Sequence, residues 1–137
     1  MEYKNVFTTS EVVGQPIVGE VMLYQYSAKY AEKIPFYDKN PMTYIVAMEG
    51  NSFYGVNLHY TKPMNRSGVL DYIMGNNDFT KLDGYNKYLR SYVQGMFLHL
   101  KGEDLDKAIG MRLEQFVRDL GSVELGMTNQ KIRRLLR

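Results

Sequence analysis

Between residues 17 and 26 apolar side chains fall on both sides of a two-residue alternation. Val21 and Leu23, with Gln25, point one way, and Met22, Tyr24 and Tyr26 point the other. A pleated strand sends successive side chains to opposite faces, so this stretch predicts a strand covered on both sides. Residues 42–48 and 53–60 read as two further strands joined through Glu49-Gly50-Asn51-Ser52. Gly50 and Asn51 tolerate the positive φ that a tight hairpin needs. In the return strand, simple alternation turns Tyr54, Val56, Leu58 and Tyr60 to the core and Phe53, Gly55, Asn57 and His59 away from it. It therefore predicts a surface or edge histidine at 59, and Gly55 predicts a bulge or bend. Ahead of the hairpin, Pro35 and Pro41 block helix and predict a surface loop.

Past Pro63 the period lengthens. Leu70, Ile73 and Met74 predict a helix that stops at Gly75-Asn76. Leu82, Tyr85, Tyr88, Leu89 and Tyr92 recur at three and four residues and predict a helix near 83–91, followed by a strand over 95–100. Leu105, Ile109, Leu113, Phe116 and Leu120 share one face of a further predicted helix. Gly110 within it costs about 1 kcal/mol relative to alanine. These elements predict an α+β fold, a small SH3-like β-barrel built from 17–26, 42–48, 53–60 and 95–100 with inserted and C-terminal helices. The alternative is an open antiparallel sheet with helices packed on one face. Without repeats or a long linker, residues 1–137 read as a single domain, with the barrel core at 17–100 and a C-terminal helical segment at 103–137.

Composition narrows the chemistry. Twelve Tyr, six Phe, nine Met and no Trp suit strands and contact surfaces. A net charge of +2 does not mark the whole surface for nucleic acid, so only clustered charge can. The absence of cysteine excludes disulfides, thiolate metal sites and a cysteine nucleophile. The N-terminus has no apolar signal region and no run is long enough to span a bilayer, so a soluble protein is expected.

Only two histidines, His59 and His99, are available as metal ligands, and neither has a carboxylate at ligand spacing. No nucleophile elbow and no glycine-rich phosphate loop is present. Glu103, Asp104 and Asp106, with Asp38 as a distant partner, hold the carboxylates that a nuclease metal site would need. A solvated helix N-terminus accounts for the first three more simply. No catalytic residue, metal or cofactor is therefore assigned. Two basic clusters remain. Lys131, Arg133, Arg134 and Arg137 close the chain, and the planar guanidinium fork grips phosphate oxygens in pairs. Lys87 and Arg90, interleaved with Tyr88 and Tyr92, form the second. These six cations are the predicted nucleic-acid-binding residues.

The stretch from Ile34 to Pro63 resembles a group of small tailed-bacteriophage proteins, the DNA end protectors. The matching residues are Pro35, Phe36, Tyr37, Asp38, Pro41, Gly55, Asn57, Leu58, His59 and Tyr60, and a weaker likeness runs over 17–116. Met42-Thr43 and Thr61-Lys62 depart from the pattern. The resemblance implies a non-catalytic phage protein that binds DNA without sequence preference and protects genome ends, located in the virion or the host cytoplasm. Its partners would be DNA and other virion proteins, with no membrane, and an oligomer fits such a role. The alternative is a virion structural subunit of neck, tail or baseplate acting through its Tyr- and Met-rich surface. A third reading, a nuclease or toxin-like ribonuclease, would recruit His59, Asp38 or Arg90.

Overall fold

The structure, a computed structural model, describes residues 6–27 and 37–117. Its elements run β1 (Glu11–Val13), β2 (Val21–Tyr26), β3 (Tyr37–Asp38), β4 (Met42–Glu49), β5 (Ser52–Asn57), α1 (Arg66–Met74), β6 (Tyr85–Leu89), β7 (Val93–Leu100), α2 (Gly102–Ile109) and β8 (Phe116–Val117). Single 3-10 turns cover Leu58–Tyr60, Pro63–Asn65, Phe79–Lys81 and Arg90–Tyr92. Six strands form one sheet in the order β1-β7-β2-β4-β5-β6, and β3 pairs with β8 in a second. All the pairings are antiparallel. Among the described residues this is a mixed fold of antiparallel sheet with two α-helices.

No closed barrel forms among the described residues, which corrects the SH3-like expectation on that point. Closure needs a ladder between the two edge strands. Along Phe97–His99, β7 pairs with β1 on one side and, at Leu98 and His99, with β2 on the other. It has no edge left there to offer β6. Register slips between Leu23 and Gln25 and between Ile45 and Ala47 bend the sheet instead.

Central β2 is covered on both faces, as its two-sided apolar pattern predicts, with Gln25 alone exposed in the strand. Val21 and Leu23 join Met42, Leu58, Leu98 and Leu100 in an aliphatic cluster. Leu70 of α1 and Ala108 of α2 complete it, so both helices lie on this side. Met22, Tyr24 and Tyr26 join Ile45, Phe53, Tyr88 and Phe97 in an aromatic cluster. Tyr24 sits at its centre, with ring centroids of Phe53, Tyr88 and Phe97 at 5.6, 5.7 and 5.1 Å. Its hydroxyl shares a 3.0 Å hydrogen bond with the Thr43 hydroxyl, so the buried ring leaves no polar atom stranded.

The β4–β5 hairpin forms as its turn chemistry dictates. Glu49 pairs with Ser52 across a two-residue turn, and Gly50 takes φ 57°. Gly55 is required by close approach, because a Cβ there would lie 2.3 Å from a Thr43 methyl and 2.5 Å from the Tyr44 carbonyl oxygen. α1 stops at Gly75, and Asn76 follows at φ 64°.

Five further expectations are overturned. The predicted surface loop between Pro35 and Pro41 buries Tyr37, Asp38 and Asn40, the first two in β3. Phe53, predicted to face away from the core, is fully buried in the aromatic cluster, and Tyr54, predicted to face the core, is half-buried on the other face. Residues 85–89 form a strand where a helix over 83–91 is predicted, because five consecutive pairings to β5 outweigh a local three-four spacing. The helix predicted from Leu105 to Leu120 ends at Ile109, where Gly110 caps it. Phe116 then enters β8, and residues 118–120 lie outside the described range. Finally, His59 is buried, not on the surface: the strand ends at Asn57, and the 3-10 turn at Leu58–Tyr60 carries the imidazole inward.

Candidate nucleic-acid interface

The residues that sequence reasoning flags as chemistry converge in the interior. Asn57 caps the 3-10 turn: its side-chain carbonyl accepts from the amides of His59 at 3.0 Å and Met42 at 3.1 Å. Its amide nitrogen donates to Asp38 Oδ2 at 3.0 Å. His59 Nδ1 donates to the same oxygen at 2.7 Å. Asp38 Oδ1 accepts from the backbone amides of Asn40 and Gln115, each at 2.9 Å. Burial alone would push the Asp38 carboxyl up. The charge and hydrogen bond of His59, with the bonds from Asn57 and Gln115, outweigh burial and hold it below the ordinary carboxylate range.

A second polar hub adjoins the first through the same turn. Arg66, at the start of α1, is fully buried. Its Nε donates to the carbonyls of Leu58 at 3.0 Å and Thr61 at 2.9 Å. Its Nη1 donates to Ile109 at 3.0 Å and Met111 at 2.7 Å, and Nη2 lies 3.4 Å from Glu114 Oε2. Together the hubs lock the 37–41 loop, the 58–61 turn, α1 and the 109–115 segment into one block.

Asp38 and His59 stand together as a nuclease reading requires, but both are buried. Asp38 is 3% and His59 2% exposed, and His59 Nε2 is buried without a hydrogen-bond partner. Arg90, the third member of that reading, instead reaches the Gly14 carbonyl at 3.5 Å. Asp38 does line a cleft, with Tyr26, Tyr37, Tyr60, Asn86, Lys87 and Tyr88, but its volume of about 20 Å³ leaves room for about one water. Among the described residues no group of three or more His, Asp or Glu is placed to hold a metal ion. His99 pairs with Glu20 at 2.7 Å. Asp104 is not part of a solvated helix start: it is buried and accepts from the Thr9 amide at 2.8 Å, while Glu103 and Asp106 stay exposed. No described helix is long and apolar enough to cross a membrane.

The accessible chemistry lies on the outer face of β5 and β6. Lys87 is exposed, with its ammonium 6.0 Å from the Tyr54 ring centroid. Tyr54 and Tyr85 stand 6.4 Å apart and within 19° of parallel, and Phe79 meets Tyr85 at 5.5 Å. The Tyr54 hydroxyl donates to Glu49 at 2.8 Å. All three rings are half-buried.

Of the predicted binding residues, Lys87 is therefore well placed, but its aromatic neighbours are not those expected. On a helix Tyr88 would flank it. On a strand, Tyr88 points to the opposite face, where it is 6% exposed in the aromatic cluster, and Tyr92 packs against that cluster. Arg90, half-buried in the 3-10 turn, is tethered toward β1. Lys131, Arg133, Arg134 and Arg137 lie outside the described residues. Sequence reasoning did not single out Phe79, Arg66 or Tyr54 as site residues. Simple alternation turns Tyr54 to the core and so hides the outer ring, and nothing local marks Arg66 as buried.

A family model described as Phage T4 terminal DNA protecting protein matches residues 3–83 of the chain. No curated protein and no solved structure matches it. The matched span contains Asp38, Asn57, His59 and Arg66, the side chains that build both hubs, together with Tyr54 and Phe79. Tyr85, Lys87, Arg90 and the C-terminal cations follow it.

Proposed function

The chain belongs to the phage T4 terminal DNA protecting protein family, and from that membership we propose that it caps DNA ends by gripping them, without sequence preference and without making or breaking a bond. The family match carries this reading. Protection of a terminus requires occupancy and steric denial, not catalysis. Phosphate contacts supply the sequence-independent part of such affinity, and they weaken steeply with salt. Lys131, Arg133, Arg134 and Arg137 are the proposed principal phosphate contacts, with Lys87 and Arg90 as auxiliaries.

The burial of Asp38 and His59 supports the non-catalytic reading, since the carboxylate's oxygens are engaged by protein donors and the imidazole has no open face. The scaffold, which we take as one domain over residues 1–137, is read as a relative of SH3-like barrels. In support, β6 runs into β7 through the Arg90–Tyr92 turn, and the Tyr24, Phe53, Tyr88 and Phe97 rings fill the curl of the sheet. The protein would act in the host cytoplasm or with the virion. A second role, attachment to other virion proteins, draws support from Met64 and Met74, which are 83% and 64% exposed.

Gel shifts and exonuclease protection with linear and circular duplex at low and high salt test the proposal. Linear DNA is expected to shift at low salt and to resist exonuclease, with no cleavage of either form. Replacing the four C-terminal cations by Gln should remove most of the shift. An unchanged shift would clear those residues of the role, and no shift of linear DNA at low salt would reject end binding.

A further inference from the structure

Resting on the end-binding reading, we infer that the Phe79, Tyr85 and Tyr54 rings form a stacking shelf for unpaired bases, so that the protein takes ends with a single-stranded overhang in preference to blunt ends. The rings follow one another across the outer face of the sheet, at 5.5 Å from Phe79 to Tyr85 and 6.4 Å from Tyr85 to Tyr54. Lys87 closes the series at 6.0 Å from the last ring.

The shelf is fixed in place. Tyr54 pairs directly with Lys87, and Val56 with Tyr85, so strand register sets two of the rings. Phe79 begins a 3-10 turn held by Asp78, whose Oδ1 accepts from the Thr80 amide at 3.0 Å. Gly84, between the turn and β6, packs so closely that a Cβ would lie 2.3 Å from the Asn57 carbonyl oxygen. Its own carbonyl accepts from the Asn57 amide at 2.9 Å. The aromatic segment is thereby pinned to the same turn that carries the buried hubs.

Charge selects the occupant. The exposed charges on the strands and turns that carry these rings are Glu49, Asp78 and Asp83 against Lys81 and Lys87. A duplex presents its phosphates outward and keeps its base faces closed within the stack, so it would bring anions onto carboxylates. An unpaired base presents a π face, which any of the four bases offers, and one cation suffices for the adjoining phosphate. The shelf therefore suits single-stranded DNA and retains the indifference to sequence that end binding demands.

Fluorescence anisotropy with hairpin duplexes tests this, one end closed by a loop and the other blunt or extended by a short thymidine overhang. The full chain is expected to bind the overhang form about tenfold or more tightly than the blunt form, with quenching of tyrosine emission. Tyr54→Leu with Tyr85→Leu should erase that preference and leave blunt-end binding in place, whereas Tyr85→Phe should keep it. Thermal melts establish that each variant is folded, and either single Leu variant decides the matter where the double one does not fold. Equal binding of blunt and overhang ends by the unaltered chain would overturn the shelf while end binding stands. Binding of neither would overturn both, and a folded Leu variant that still prefers overhangs would also overturn the shelf.

Discussion

The interior hubs and the outer aromatic shelf share one sheet but hold opposite kinds of side chain in opposite places. At the hubs, groups that ordinarily seek water, Asp38, His59 and Arg66, are sealed in and bonded to protein donors and acceptors. On the shelf, rings that ordinarily seek burial are left half open beside a lysine. The contrast separates two jobs. Buried polar networks fix a unique arrangement, because any alternative strands a charge. Half-open rings beside a cation keep a π face available to a partner. Chemistry-bearing residue types therefore mark the architecture here, and apolar ones mark the contact surface.

The largest break in that contrast is expected at Arg66. Arg66→Ala leaves four carbonyls without their guanidinium donor and takes away the buried cation beside Glu114, and should cost about 3–5 kcal/mol. Urea unfolding would read this as a collapse of the midpoint or as loss of soluble protein. Next comes Asp38→Asn, which keeps the shape and removes the charge, at about 1.5–3 kcal/mol near neutral pH. The sign of its pH dependence follows from the depressed folded-state pKa. The Asp38 contribution is present above its ordinary value of 3.8 and is lost as pH falls through the lower folded value. Acid titration of stability should therefore show a steeper loss below pH ~4 for the unaltered chain than for Asp38→Asn. An identical acid limb in both would remove Asp38 from the account.

The smallest effect on folding is expected on the shelf. Lys87→Gln should change stability by no more than about 0.5 kcal/mol, the usual range for an exposed position. It should nevertheless weaken DNA binding measurably at low salt, with a shallower salt dependence than the unaltered chain. A variant equally neutral in both measurements would leave the cation without a role.

Local signals made some of this visible in the sequence. Gly50-Asn51 between alternating runs located the β4–β5 hairpin, and the two-sided apolar pattern of 21–26 located the strand buried on both faces. Gly75-Asn76 located the end of α1. Where long-range pairing decides, local spacing misleads. Tyr85, Tyr88, Leu89 and Tyr92 fit a helical stripe, yet β5 offers a partner for every residue from 85 to 89. Tyr88 and Lys87 consequently part to opposite faces, and the true neighbour of Lys87 comes from Tyr54, 33 positions earlier. The His59–Asp38 pair spans 21 residues, and Arg66 meets Met111 across 45, separations that no periodicity records.

The position of β7 has a bearing on where kinship and autonomy part company. That strand, drawn from residues 93–100, is inserted between β1 and β2, and so separates two neighbours in the chain by a segment made some seventy residues later. The span that carries the family likeness ends at 83. Excised there, the protein would lose the strand that seats its own beginning, and the guanidinium of Arg66 would face a void where Ile109 and Met111 belong. The stretch in which ancestry is written is thus not a piece that could stand by itself, and any dissection of this protein has to keep the later third attached.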